Sequence, residues 1–394
     1  MDSRMIWIWL QAALGYGSPL AGTLLSHFSS PEEAYAADDA TYRRLGFPAA
    51  VRKRLADKSM DKARGILWQT LSEGDWLLTP ADEAYPALLR GIHSPPLVLY
   101  GRGTLPDFER QPTIAVVGTR KVTDYGVRVT AALADGLARG GALLVSGGAL
   151  GGDTVALSAA LDAGGRTVSV QACGLDIDYP APNAPLRRRM LQNEGALLTE
   201  YPYGVRVGKG TFHVRNRLLS GLALGVCVTQ APKGSGALIT ARYAREQGRD
   251  VFAVPGDLTS PHNHGSNALI QQGAKLVCNA REILEEYETR YPHILDLNAA
   301  GTAVPLPAKS APPALRVAQP NKETPAPAPT PTAPLPDGVS DTARAVHALL
   351  TAQPQPVDEI AAAAHLPMAQ VLAALTELEL FGAAVSVAGQ QYHR

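Results

Sequence analysis

Cysteine is scarce in this chain: three in 394 residues, Cys173, Cys227 and Cys278, spaced about fifty residues apart with no C-x-x-C pair. That excludes a disulfide framework and a zinc site built on cysteine pairs, and makes reduced cytoplasm the expected compartment. Charge of one sign is missing as well. Lys plus Arg and Asp plus Glu each number 36, so the net charge is zero, and the protein is no polycation coated for bulk nucleic-acid binding. The apolar stretch Met5–Leu14 holds two Trp and a Gln, and no small-residue cleavage site closes it. It reads as a buried amphipathic helix and not as a leader, and no membrane association is expected.

What is present is ordinary for soluble globular protein. Hydrophobic residues make up 46% of the chain and charged ones 18%, enough for two or three domains with sizeable cores. Charge is unevenly spread: residues 1–90 hold 10 basic and 11 acidic side chains, 91–298 hold 21 and 18, and 337–394 hold 2 and 6. A polyanion site is therefore expected in the middle. Between Gly301 and Pro336 the composition collapses to Pro, Ala and Thr, which cannot bury a core and stiffens towards polyproline II, so residues 299–336 read as a linker.

Before the linker two patterns differ. Residues 1–80 show helical spacing broken by GYGSP and GFP, and residues 81–111 form a connecting segment. From Pro112 to Tyr287 short, often β-branched runs alternate with helical patterns: Ile114–Val117, Leu143–Val145, Thr167–Ala172, Ala196–Leu198, Val226–Thr229 and Val251–Val254. This alternation predicts an α/β fold with a Rossmann-like, doubly wound, mostly parallel sheet, extending over residues 81–298. Ligands of such sheets bind beyond the carboxyl ends of the strands, so the loops there are the ones that matter.

Three of those loops suit phosphate. Gly118-Thr119-Arg120 follows the first strand, Ser146-Gly147-Gly148 opens a helix after the second, and Lys233-Gly234-Ser235-Gly236 opens another after Val226–Thr229. Glycine lets backbone N–H groups approach an anion, and a helix N-terminus adds partial positive charge. The segment Lys209–Arg217, KGTFHVRNR, interleaves Lys209, Arg215 and Arg217 with Phe212 and His213. Cations that neutralise phosphates beside a ring that stacks a base point to single-stranded nucleic acid, because a duplex hides its base faces. The same letters also allow a core Phe212 with arginines in salt bridges. Arg187-Arg188-Arg189 reads as a solvated helix face that extends the basic field at most.

Enzymatic motifs come close and fail. Gly204–Thr211 is one residue short of a Walker A loop and has Gly210 where the Mg²⁺-binding hydroxyl belongs; Gly147–Gly152 has Ala149 in the middle glycine position of a dinucleotide loop. His262-Asn263-His264 spells a nuclease motif without the surrounding metal fold, and Ser235 lacks the G-x-S-x-G elbow. No catalytic residue, metal or cofactor is expected. The rival reading is an enzyme cleaving the N-glycosidic bond of a nucleotide, which needs a carboxylate near the Gly-Ser-Gly loop; neither Glu200 nor Glu246 is well placed by sequence.

Together VGTRKVTDYG (117–126), SGGALGGD (146–153), CGLDIDYP (173–180), FHVRNRLLSGL (212–222), SGALITARYAREQGR (235–249) and VPGDLTSPHNHGSNALIQQGA (254–274) resemble the DNA-processing protein A family, DprA or Smf, in family order over about 160 residues. The resemblance implies a domain that binds single-stranded DNA, dimerises and helps load RecA recombinase in natural transformation, with single-strand-binding protein as a further partner. By position it implies that Arg120, Lys209 and Phe212 touch DNA while Gly148, Asn216, Ser235 and Gly236 line the pocket. One departure is Gly152-Asp153 followed by Val155-Ala156-Leu157-Ser158, where the family has Ile-Asp and a downstream His. Residues 1–80 resemble the family's SAM-like or helix-hairpin-helix domain. Residues 337–394 resemble a winged helix, but the second helix, MAQVLAALTELEL, offers Gln370 and two glutamates and no cation, so a protein-binding role is expected there.

Overall fold

The computed structural model describes residues 2–301, 339–387 and 391–394, without the side chains of Lys209, Leu380 and Val387. From residue 302 on, the segment read as a linker lies outside them. The chain forms two compact units that divide after Ser310.

The first unit is built on nine strands: β1 (Trp76–Leu78), β2 (Leu99–Gly103), β3 (Thr113–Val117), β4 (Leu143–Ser146), β5 (Thr167–Val170), β6 (Ala196–Thr199), β7 (Gly225–Val228), β8 (Asp250–Ala253) and β9 (Lys275–Leu276). Their order is β1-β2-β6-β5-β4-β3-β7-β8-β9. Pairing is parallel from β6 through β9 and antiparallel at β1–β2 and β2–β6. The six strands read from the sequence are β3 to β8, with ends displaced by one or two residues. The antiparallel pair β1–β2 and the two-residue β9 escaped the pattern, because LYGRG carries two glycines and an arginine and does not alternate.

Strands β3 to β7 are buried throughout, which is why they read as continuous apolar runs and not as alternating ones. Successive side chains still point to opposite faces. Ile114 and Val116 join one core, with the helices Asp124–Arg139 and Gly152–Asp162; Ala115 and Val117 join the other, with Lys209–Leu222 and Gly236–Glu246. Strand order runs outward from β3 to β6, returns to β3 with β7 and runs outward again. The reversal opens a crevice between the carboxyl ends of β3 and β7.

Six short helices precede β1, the first being Ser3–Leu14. They are not set apart from the sheet: Ile6, Trp9 and Leu10 share one core with Val98, Tyr100 and Leu197. Ser3–Leu14 is correspondingly buried on every side from Ile6 to Gln11, so the amphipathic reading is corrected. Gln11 spends its polarity inside, donating to the Glu200 carbonyl at 2.9 Å and accepting from the Val98 N–H at 2.7 Å.

The second unit holds the helices Asp341–Leu349, Val357–Ala364 and Met368–Leu380, and a three-stranded sheet of β10 (Gln355–Pro356), β12 (Gln391–His393) and β11 (Val385–Val387), in that order. Val346, Ile360, Val371 and Leu375 fill its core. This is a winged helix. Among the described residues no single helix is long and apolar enough to cross a membrane.

Ile114 is fully buried at the centre of the sheet, so Ile114→Ala should lower the free energy of unfolding by about 2–5 kcal/mol, measured by urea denaturation of the full chain.

Candidate nucleic-acid interface

A pocket of about 570 Å³ opens at the β3–β7 crevice. Its walls are the loop after β3 (Gly118, Thr119, Arg120), the loop after β7 (Lys233 to Gly236) and one face of the Lys209–Leu222 helix, carrying Phe212, Arg215, Asn216 and Leu219. These four stand at i, i+3, i+4 and i+7, one stripe of an α-helix. Among the described residues three cations line the pocket, Arg120, Arg215 and Lys233, against one carboxylate, Asp153. The excess suits an anion.

Phe212 is half-buried and flanked on both sides. The exposed Arg120 guanidinium lies over its ring at 4.7 Å from the centroid, and Tyr179 meets it at 5.8 Å. Phe212 is thus no core residue, and Arg120, some ninety residues earlier in the loop after β3, converges with it. The loop after β7 is the most open part. Gly234 has φ +79°, and a Cβ at Gly234 or Gly236 would meet nothing within 4 Å. Ser235 caps the 11-residue helix Gly236–Glu246 by accepting from the Ala237 N–H at 3.3 Å. The first turn of that helix holds no acidic residue, so its amide end faces the pocket uncompensated.

The other two loops are glycine-rich because they pack on each other. Gly152 N–H donates to Thr119 O at 3.0 Å, and Thr119 N–H to Gln230 O at 2.8 Å. A Cβ on Gly152 would sit 2.8 Å from the Gly118 Cα. Gly147 and Gly148 do not line the pocket, contrary to the phosphate-cradle expectation. Gly147 makes room for the Arg215 guanidinium, which a Cβ would strike, and Gly148, at φ +65°, gives its carbonyl to the Asn183 amide at 2.9 Å. Asp153 already answers a nearby amide, accepting from the Ala149 N–H at 3.3 Å. Burial pushes its carboxyl above the usual range, opposed by the charge of Arg215.

The two arginines of the 209–217 segment are structural. Arg215 is 4% exposed, and its Nη1 donates to the Gly147 and Val170 carbonyls, both at 2.5 Å, while Nε donates to Asn216 Oδ1 at 3.2 Å. Arg217 turns away from the pocket into a buried pair with Glu200, Nη2 to Oε1 at 2.7 Å. It is corrected from DNA-contacting to internal, because two residues along a helix reverse the face. Lys209 opens the helix, and its side chain lies outside the described part. Arg187 pairs with Asp178 and Arg189 with Asp162, which leaves Arg188 exposed.

Three participants went unassigned in the sequence. Asp153 and Tyr179 lay in motifs whose other letters drew attention. Gln230 bridges the loops after β3, β7 and β8, accepting from the Thr123 N–H at 3.0 Å and donating to Asn263 at 3.0 Å; its only signal was a lone amide ending an apolar run. Asn263, the middle letter of the nuclease-like triplet, is therefore a buried strut. The near-Walker segment is equally occupied, since the Gly204 N–H points at the Asp176 carboxylate, 3.0 Å from either oxygen.

Packing and binding glycines should separate by substitution. Gly147→Ala is expected to cost about 1–3 kcal/mol of stability through overpacking against Arg215, whereas Gly236→Ala should change it by less than about 0.5 kcal/mol, both read from urea denaturation midpoints.

Comparison with known proteins places this geometry. Residues 76–288 match the family model described as DNA recombination-mediator protein A, and residues 325–390 match the DprA winged helix domain. The Protein Smf of Synechocystis is 32% identical over all of this chain and 99% of its own length. The DNA processing protein DprA of Bacillus subtilis is 38% identical over 64% of this chain and 84% of its own. The X-ray structure of DNA processing protein A from Streptococcus pneumoniae is similar with a TM-score of 0.61 at 31% identity, covering 71% of this chain and 96% of that one. From the α/β sheet to the winged helix, the chain belongs to the DprA/Smf family of DNA recombination-mediator proteins.

Proposed function

We propose that the β3–β7 pocket binds single-stranded DNA, and that the protein protects the strand and passes it to RecA recombinase in transformation and recombination. The observation that carries the first part is the Arg120–Phe212 stack at 4.7 Å, beside the loop Lys233 to Gly236, whose two glycines leave open space in front of the backbone. Such a surface offers charge to a phosphate and a ring to a base within one nucleotide's reach. Family membership supports the hand-over to RecA, a second copy of the chain as partner, and contact with single-strand-binding protein.

The contacts assigned to DNA are Arg120, Phe212, Asn216, Lys233, Gly234, Ser235 and Gly236, with Gly118, Thr119 and Arg215 forming the wall and floor behind them. Lys209 belongs with the contacts by its place at the head of the helix. A glycosidic-bond-cleaving enzyme would need a carboxylate free to act on a bound nucleotide. Glu200 is buried against Arg217, and Glu246 lies at the surface beside Arg242. Asp153 is held by a backbone amide and balanced by Arg215. A binder, not a catalyst, is the reading this arrangement supports.

Oligo-dT should bind more tightly than duplex DNA of equal length, with log affinity falling on log salt at the shallower single-strand slope. Phe212→Ala should weaken oligo-dT binding by about 1–3 kcal/mol with folding intact by circular dichroism; equal affinity for duplex, or a folded variant that keeps wild-type affinity, would refute the assignment.

The exposed face of Met368–Leu380 carries Met368, Gln370 and Leu372 and no cation. Removal of residues 302–394 should therefore leave oligo-dT affinity within about threefold of the full chain by fluorescence anisotropy.

A further inference from the structure

The Lys209–Leu222 helix has a second worked face. Val214, Arg217, Leu218 and Gly221 repeat the i, i+3, i+4, i+7 spacing of the pocket stripe two residues on, which is about 200° around the axis. What they meet comes from the start of the chain and from the connection to the sheet. Gly17, at φ +67°, lies so close to Val214 that a Cβ there would stand 2.8 Å from Cγ1, and Gly221 backs onto Leu89 and Ile92. Between them the Glu200 carboxylate accepts from two sources through one oxygen: Arg217 Nη2 at 2.7 Å and the Gly17 N–H at 3.1 Å. Its backbone carbonyl holds Gln11, and Tyr16 packs edge-on against Tyr201 at 4.8 Å.

This ion pair is a poor device for stability alone. Glu200 and Arg217 are 2% and 5% exposed, yet Glu200 Oε2 and Arg217 Nε find no hydrogen-bond partner among the described residues. Apolar side chains of similar volume commonly do as well or better in such places. What apolar groups do not supply is direction. One oxygen shared by the N-terminal turn and the helix sets the rotation of the helix within hydrogen-bond tolerance. With side-chain tips about 6 Å from the axis, a rotation of roughly 15° moves Phe212 and Asn216 by about 1.5 Å. That is enough to spoil a binding constellation. The chain between Glu200 and the helix is braced as well, because Tyr203 bonds to Asp75 and accepts from Arg102 at 3.0 Å, and Arg102 pairs with Asp75.

We propose that Glu200 is a positioning residue for the single-strand site: through Arg217 and the Gly15–Ser18 turn it sets the angle at which the Lys209–Leu222 helix presents Phe212 and Asn216 to DNA. The proposal rests on the single-strand reading of the pocket. It makes the N-terminal helices part of the binding machinery although none of them lines the pocket.

The test uses the full chain and three variants, Gly17→Ala, Glu200→Gln and the double substitution Glu200→Leu/Arg217→Met, the last removing both buried charges so that folding is not in question. Labelled oligo-dT affinity is measured across a salt series at a temperature where circular dichroism shows each folded. The expected result is a loss of about tenfold, a size usual for coupling between sites, with the salt slope unchanged because no phosphate contact is removed. The double variant should keep or raise its melting temperature while binding weakly. Wild-type affinity in the double variant or in Gly17→Ala overturns the proposal, as does a loss accompanied by a shallower slope. Hydrogen exchange of the 209–222 amides in the DNA-free protein is the second arm, expected to speed up in all three variants. If the unsubstituted chain does not bind oligo-dT, the single-strand reading fails, and unchanged exchange in the variants separately sinks the role of Glu200.

Discussion

Arg215 carries a full charge almost entirely out of water, and the pocket is shaped around the terms on which it is held. Removing such a charge from solvent costs several kcal/mol even after relaxation, on the order of what a whole domain has to spare. The carbonyls of Gly147 and Val170 and the amide of Asn216 offset that cost, and Asp153 supplies the counter-charge. Each of these obligations places something else. Gly147 must be glycine, the loop after β4 must curl beneath the helix, and Asn216 is turned so that its amide nitrogen reaches Gly236 O at 3.3 Å. The floor of the site is therefore a satisfied electrostatic network with Asn216 at its edge, and the rim, Arg120, Phe212 and the loop after β7, is its open part among the described residues.

That division explains why three similar glycine-rich loops do different work. Two of them, after β3 and β4, use missing side chains to let backbones touch, and their amides are spent on Thr119, Gln230 and Asp153. The third uses missing side chains to leave space, with open solvent in front of Gly234 and Gly236. Close approach of protein to protein and close approach of protein to ligand demand the same residue type. Sequence alone does not distinguish the two.

The N-terminal helices and the C-terminal winged helix differ in where their cores lie. The N-terminal helices share the core of the α/β sheet, and Gln11 and Gly17 bond to Glu200, directly after β6. The C-terminal winged helix has its own core of Val346, Ile360, Val371 and Leu375. Its Met368–Leu380 helix exposes thioether, amide and leucine in place of the cations a duplex reader needs. A protein partner fits that composition better than a phosphate backbone does.

Sequence by itself determined the class of fold, the six central strands, the loops at their carboxyl ends as the place to look for a ligand, and the presence of cation and aromatic side chains among them. Those features come from local periodicity and from the rule that parallel sheets bind ligands beyond their carboxyl edge. It also carried the family, through six motifs in order. Tertiary structure decided which of those residues line the pocket. Arg215 and Arg217 are two letters apart and equally basic, yet one lies under the pocket and the other lies behind the helix against Glu200. Arg120 and Phe212, ninety residues apart, meet ring to guanidinium. Residue type states what a side chain is able to do, whereas helix phase and the partner waiting across the core decide where it does it, and that partner is distant in the chain.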